Sequence, residues 1–292
     1  MANIIDLSSN QAGIDLSKLQ IDGAIVKASG ESASVNPYFE QWVDYLLAHN
    51  LMAGAYHFAI GNDPIAEANQ FLAKVKPYLG KITLALDFEA MAVQKWGSAG
   101  AKQWLDYVSQ QTGKTPFIYM SASTAETLDW SAVAGKYPLW RAQYPDNNTG
   151  SWATPWTDGK GQGAWKSVAI YQYEDMGRIA GYGGNLDLNL VELSKADWQA
   201  LAQGNTTKTI TQPTKENSKM IYAFAVQNGT GTFLFDGQNT LAFTGKNAKA
   251  AYDHYVGTYK AIVGKNIPNQ IKTQAQFDLW DKLYPVKYIA FN

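Results

Sequence analysis

Short apolar runs recur through the first two thirds of the chain, and the spacing of apolar residues changes between them. Ile4-Ile5-Asp6-Leu7 and Ala24-Ile25-Val26-Lys27-Ala28 are of strand length. From Pro37 to His49, Phe39, Trp42, Val43, Leu46 and Leu47 follow an i, i+3, i+4, i+7 pattern, which predicts a helix with one buried face. Ala53-Gly54-Ala55-Tyr56-His57-Phe58 predicts the next strand. Asp63-Pro64 then pairs a capping residue with proline at the first helical position, which predicts a helix start. Ile82 to Asp87 predicts a strand, Ala99 to Gln111 a helix, and Pro116 to Met120 another strand. After that the rhythm changes. Leu139 to Tyr144, Val168 to Tyr173 and Leu186 to Leu190 read as strands joined by Gly- and Pro-rich loops without clear helices.

Strands alternating with helices imply a parallel sheet with helices outside it, an α/β fold. Eight candidate strands within residues 1–204 fit a short closed barrel that has lost its last helices; on pattern alone a doubly wound open sheet fits as well. Residues 205–218 are polar and rich in Thr and Asn, with Ile210 as the one apolar residue, so they are expected to be a linker. Beyond it, residues 219–292 predict a small α+β domain. Its strands are expected at Ile221 to Val226 and Thr232 to Phe235, its turn at Asp236-Gly237, and its helices at Asn247 to Ile262 and Gln274 to Leu283.

Composition narrows the chemistry. With no cysteine, there is no disulfide, thiolate nucleophile or cysteine-ligated metal. His49, His57 and His254 are the only imidazoles, which argues against a multi-histidine zinc site. No Gly-x-Gly-x-x-Gly follows a strand, and there is no phosphate loop, Gly-x-Ser-x-Gly elbow or His-Glu-x-x-His helix. The Gly-rich run Ala180 to Gly184 reads as a loop. The start of the chain has neither a basic nor a long apolar region, so no signal peptide is expected, and no stretch is apolar enough for a bilayer partner. The net charge of −1 hides an asymmetry: residues 1–204 hold 14 Lys and Arg against 20 Asp and Glu, whereas residues 205–292 hold 10 Lys against 5 Asp and Glu. The acidic first domain does not suit nucleic acid. The basic second one suits an anionic partner, although two solvated surfaces of chance composition would read the same way.

Polar residues gather at the ends of the predicted strands. Asp6, Tyr56-His57, Asp87 and Glu89, Tyr119, Trp140-Arg141, Gln172 and Asp187 all lie at or just past a strand's C-terminal end. In a parallel barrel those ends converge on one mouth. Four carboxyls from distant segments would then share a cleft, and their repulsion is expected to raise at least one pKa into the range of a general acid. Asp87 and Glu89 are two residues apart, so in extended chain they face the same way, roughly 6–7 Å apart. Such a pair suits glycosidic cleavage, one carboxyl protonating the leaving oxygen and the other stabilising the sugar cation. An isolated Asp-x-Glu is common and equally fits a strand running into a loop; its company at the other strand ends changes that reading. Tyr56, Tyr119, Trp140 and Tyr173 each fit a barrel core, and together they fit stacking on sugar rings. His57, inside an apolar run, reads as a structural, hydrogen-bonded histidine.

In order and spacing, these segments resemble glycoside hydrolase family 25, the lysozymes (N-acetylmuramidases) of phage endolysins and bacterial autolysins. The matching pieces are Ile5-Asp6-Leu7-Ser8 with Gln11 and Ile14-Asp15, Val26 to Glu31, Gly54 to Phe58, Leu86 to Glu89, Ile118-Tyr119, Leu139 to Tyr144, Tyr171 to Tyr173 and Leu186 to Asn189. The resemblance covers about residues 3–193 and implies a (β/α)5β3 TIM-like barrel. It also implies hydrolysis of the β-1,4 bond between N-acetylmuramic acid and N-acetylglucosamine in peptidoglycan, without a cofactor. By resemblance Glu89 is the general acid and Asp87 assists the substrate's acetamido group. Asp6 and Asp187 complete the acidic cleft, and Tyr56, Tyr119, Trp140 and Gln172 contact sugar. Arg141, placed with them as substrate-binding, stands where an apolar residue is usual, and Leu16 where Trp often follows Ile-Asp. A basic domain after such a barrel resembles the cell-wall-binding domains of endolysins, with anionic wall polymers as partner. An endolysin made in the host cytoplasm would reach the wall through holes opened by a separate membrane-permeabilising protein. Two other readings remain at this stage: a chitinase-like hydrolase, which also uses Asp-x-Glu on a barrel strand, and a catalytically silent carbohydrate-binding barrel.

Overall fold

The structure is a computed structural model. It describes residues 1–30, 36–144, 150–153 and 161–204, together with the backbones of five strands further along the chain. The chain divides into two compact units, Met1–Pro213 and Thr214–Asn292.

In the first unit eight strands close into a barrel in sequence order: β1 (Ala2–Leu7), β2 (Gly23–Ser29), β3 (Met52–Phe58), β4 (Thr83–Asp87), β5 (Phe117–Ser121), β6 (Leu139–Ala142), β7 (Ile170–Gly177) and β8 (Leu186–Val191). Neighbours from β1 to β7 pair in parallel, and β8 runs antiparallel to both β7 and β1. The closed barrel decides against the open sheet. Two short 3-10 turns follow β1, and α-helices follow the next four strands: α1 (Phe39–Ala48), α2 (Pro64–Val75), α3 (Ala90–Thr112) and α4 (Ala122–Thr127). A last helix, α5 (Lys195–Gln203), comes after β8.

Local rules explain most of these boundaries. Asp63 caps α2 by accepting from the Ala66 amide at 2.8 Å, with Pro64 in the first turn. The apolar stripe expected on the first helix is buried as Phe39, Trp42, Val43 and Leu46. α3 differs from expectation, because it begins at Ala90, directly after Glu89, rather than near Ala99. Gly97, at φ +54°, kinks it and breaks the apolar period that marks its second half. α4 is only six residues long, too short to show a period in the sequence.

Strand alternation sorts the core into two layers. Ile4, Ile25, Met52, Ala85, Phe117 and Ile170 fill the barrel interior, while Ile5, Val26, Leu84, Leu86, Ile118 and Leu188 pack outward against the helices. Trp198 of α5 joins the interior cluster, lying 5.6 Å from the Phe117 ring and donating its indole N–H to the Ala53 carbonyl at 3.1 Å. Ala53 lies near the start of β3, so α5 closes the end of the barrel opposite the strand C-termini.

In the second unit the described backbone forms one five-stranded mixed sheet, built from β9 (Ile221–Val226), β10 (Thr232–Asp236), β11 (Thr240–Thr244), β12 (Asn269–Lys272) and β13 (Val286–Ala290), in the order β12-β9-β10-β11-β13. The expected linker 205–218, the helices expected within 247–262 and 274–283, Gly237 of the expected turn, and Glu31 lie outside the described residues.

Candidate active site

The parallel strands deliver their inward-facing side chains to one mouth. Register sets the neighbours: Asp6 pairs with Asp187 across β1 and β8, Asp87 with Tyr119 across β4 and β5, and Tyr119 with Trp140 across β5 and β6. Gln172 pairs with Asn189 across β7 and β8. Phe88 is buried in the outer layer, so Asp87 and Glu89 on either side of it face the mouth. Glu89 is the last extended residue, at φ −148° and ψ −174°. The turn into α3 is made by Ala90 at φ +48°, a conformation that favours glycine and costs a β-carbon-bearing residue about 1–2 kcal/mol.

One connected polar network runs through the mouth. Tyr119 and Tyr144 donate their hydroxyls to Gln172 Oε1 at 2.9 and 2.8 Å. Gln172 Nε2 donates to Asp6 Oδ2 at 2.8 Å, as does Asn189 Nδ2, also at 2.8 Å. Trp140 Nε1 donates to Asn189 Oδ1 at 2.7 Å. The Trp140 ring meets Tyr56 and Tyr119 edge-on, with centroids 6.3 and 4.9 Å away. Trp140 is only 2% exposed, so it forms a floor beneath the mouth, whereas Tyr144 is 37% exposed above it.

The four carboxyls all titrate above their ordinary values. Burial is the largest cause in each case, ahead of the mutual repulsion anticipated from sequence. For Asp87, burial is reinforced by the charges of Glu89 and Asp6. For Glu89, burial is followed by the charge of Asp6. Burial and Asp6 together push Asp187 up to about 9. Hydrogen bonds from Asn189 and Gln172 pull Asp6 the other way, although burial prevails. Lys27 opposes the rise at Asp87 and Glu89. Its ammonium lies 4.5 Å from the Phe58 ring centroid, and Phe58 is the register partner of Asp87.

The structure thus brings together Asp6, Asp87, Glu89, Asp187, Tyr56, Tyr119, Trp140 and Gln172. Arg141 is not among them. It follows inward-facing Trp140, so alternation turns it outward, where it is 2% exposed and stacks over its register partner Tyr171 with its guanidinium carbon 4.4 Å from the ring centroid. Tyr173 also belongs to the outer layer and accepts the Ala153 amide at 3.1 Å. His57 is structural, as read from sequence: its Nδ1 is 2.9 Å from Ser29 Oγ and its Nε2 2.8 Å from Glu67 Oε2, outside the barrel wall. Three contributors were not singled out from sequence. Lys27 and Asn189 each stand two residues from an inward-facing neighbour, so strand period was the available signal; Tyr144 keeps the period of Trp140 and Ala142, although β6 itself ends at Ala142.

Residues 5–182 match the family model for glycosyl hydrolases family 25. The Escherichia coli K12 protein YegX is 30% identical over 220 residues, covering 68% of this chain and 73% of the relative. Among solved structures, the lysozyme of Streptomyces coelicolor aligns with a TM-score of 0.55 at 24% identity, covering 69% of this chain and 97% of that one. The catalytic domain of endolysin ply40 from the Listeria monocytogenes bacteriophage P40 aligns with a TM-score of 0.56 at 23% identity, covering 70% and 98%. These two likenesses concern the fold, whereas the family match spans more than half of the sequence. The chain belongs to glycosyl hydrolases family 25 and is a glycoside hydrolase.

Proposed function

We propose that this hydrolase is a muramidase that cuts the β-1,4 bond between N-acetylmuramic acid and N-acetylglucosamine in bacterial peptidoglycan, with Glu89 as general acid and Asp87 as partner of the substrate's acetamido group. The observation that carries this reading is Asp87 Oδ1. It is buried at the mouth next to Glu89 and has no hydrogen-bond partner among the described residues. A buried carboxyl oxygen in that condition suits a donor brought by the substrate, and the N–H of a 2-acetamido group is such a donor. Burial raises Glu89 above its ordinary value, the direction that a proton donor needs.

In this scheme Glu89 passes its proton to the glycosidic oxygen as the bond from that oxygen to the anomeric carbon breaks. The acetamido carbonyl oxygen bonds to the same carbon while Asp87 holds the N–H. Water then adds to the anomeric carbon as the bond from that carbon to the acetamido oxygen breaks, and the water gives a proton to Glu89. Asp6 and Asp187 shape the charge of the mouth, and Tyr56, Tyr119, Trp140 and Gln172 line it. The names of the lysozyme and endolysin neighbours agree with peptidoglycan as substrate and with an endolysin role. For the remainder of the chain, the division proposed is a catalytic domain at 1–204, a linker at 205–218 and a wall-binding domain at 219–292. The excess of Lys over Asp and Glu after residue 204 supports an anionic wall polymer as its partner.

Reducing-end analysis of digested peptidoglycan tests the activity. New muramic acid ends are expected, and cleavage of chitin alone would reject the muramidase. Glu89→Gln should reduce turnover on the order of 10²–10⁴-fold with an unchanged melting temperature. Lysis at the wild-type rate would reject Glu89 as the acid. For the second domain, the full chain should sediment with purified walls at low salt and residues 1–204 should not.

A further inference from the structure

Asp6 and Asp187 face each other on the antiparallel β1–β8 pair, and hydrogen bonding makes them unequal. The orientation of the Asn189 amide is fixed by its neighbour. An indole N–H can only donate, and Trp140 gives it to Asn189 Oδ1 at 2.7 Å, so Nδ2 is the atom facing Asp6 Oδ2 at 2.8 Å. The Gln172 amide receives two tyrosine hydroxyls at its Oε1 and directs its Nε2 toward the same Asp6 oxygen at 2.8 Å. Two N–H donors on one oxygen favour the carboxylate over the acid.

We propose that Asn189 is a positioning residue that, with Gln172, fixes Asp6 as the ionised member of a carboxyl pair holding one proton, and that this proton resides on Asp187. The high titration of Asp187, about 9, agrees with that geometry. The groups around the pair are Lys27 from β2, whose charge acts on Asp87 and Glu89, Tyr56 from β3, Asp87 and Glu89 from the end of β4, Tyr119 from β5, Tyr144 beyond β6, and Asp175 on β7, whose charge reaches Asp187. Six of these seven groups are acidic or phenolic, so storing a proton on Asp187 removes one anion from a crowded site. On the reading of Glu89 as general acid, the stored proton leaves one carboxylate fewer in the shared mouth when Glu89 is deprotonated in mid-reaction.

The test is a carbon-13 NMR titration of the full chain labelled at aspartate carboxyls, with Asp187→Asn and Asp6→Asn to assign the two signals. Asp187 is expected to titrate near pH 9 and Asp6 to hold its ionised position through neutral pH. Asn189→Leu removes one donor to ionised Asp6, so the lower step of the pair should move to higher pH by about one unit, the equivalent of one charge-assisted hydrogen bond, while the upper step, with Asp6 ionised before and after it, should stay in place. Gln172→Met removes the other donor and should move the lower step the same way; a thermal melt checks the fold of each variant. An ionised Asp187 at pH 7 in the wild type would overturn the proposal. So would folded variants whose titration stays where it was. The titration is read without substrate, so an inactive chain with the expected titration would sink the muramidase reading and leave this one standing.

Discussion

Glu67 holds the outer wall of the barrel to α2 through three accepted hydrogen bonds, and removing them should have a calculable effect. Its carboxylate, 3% exposed, accepts from His57 Nε2 at 2.8 Å and the Ile60 amide at 3.1 Å through Oε2, and from the Asn62 amide at 2.6 Å through Oε1. Glu67→Ala strands all three donors. Each buried unsatisfied group costs about 1–3 kcal/mol, and water entering the hole recovers part of that, so the expected loss is about 3–5 kcal/mol. For a unit of this size that corresponds to a fall in melting temperature on the order of 10 °C. Glu67→Gln keeps an oxygen for His57 and Ile60 but turns an amide N–H toward the Asn62 amide, so it should lose only about 1–3 kcal/mol. The acid side carries a second signature. Burial would raise Glu67, but hydrogen bonds from His57, Ile60 and Asn62 outweigh it and hold the carboxyl below its usual 4.5. Its contribution is therefore present above that value and lost as pH falls through the folded pKa. His57 is held below 6.5 by burial, which outweighs the bond to Glu67, so it too withdraws stability as pH falls below 6.5. Circular-dichroism melts from pH 7 to pH 4 measure both effects. The two variants should retain wild-type turnover per folded molecule, because Glu67 and His57 face away from the mouth. A Glu67→Ala melt within ~3 °C of wild type at pH 7 would refute the reasoning.

Two further outcomes follow from the same structure. Lys27→Met removes the charge that lowers Asp87 and Glu89, so both should titrate higher, and the alkaline limb of lytic activity, where Glu89 loses its proton, should shift to higher pH; an unmoved limb in a pH–rate series would count against the electrostatic role. Trp198→Ala empties the closed end of the barrel beside Phe117 and should cost about 3–5 kcal/mol in a denaturant titration.

The sequence by itself determined the parts that depend on local period and local chemistry. Strand runs, the capped start of α2 and the apolar face of α1 were legible because each is set by residues a few positions apart. So was the gathering of Asp6, Asp87 and Glu89 at one mouth, since parallel strands bring their C-terminal ends to one side; Asp187, expected at a C-terminal end as well, lies instead at the start of β8 and reaches the same mouth because that strand runs antiparallel. What sequence left open depended on distant neighbours. Arg141 stands at the right strand end, yet a shift of one residue puts it on the other face of the wall, and only closure of the barrel says which face is inside. The early start of α3 turns on Ala90 adopting a backbone conformation unusual for its residue type. The unequal environments of Asp6 and Asp187 arise because Trp140, Gln172 and Asn189, far apart in the chain, meet at one carboxyl. Burial, which raises all four acids, belongs to the assembled barrel: desolvation depends on everything packed around a group, and the residues beside it in sequence are only a small part of that.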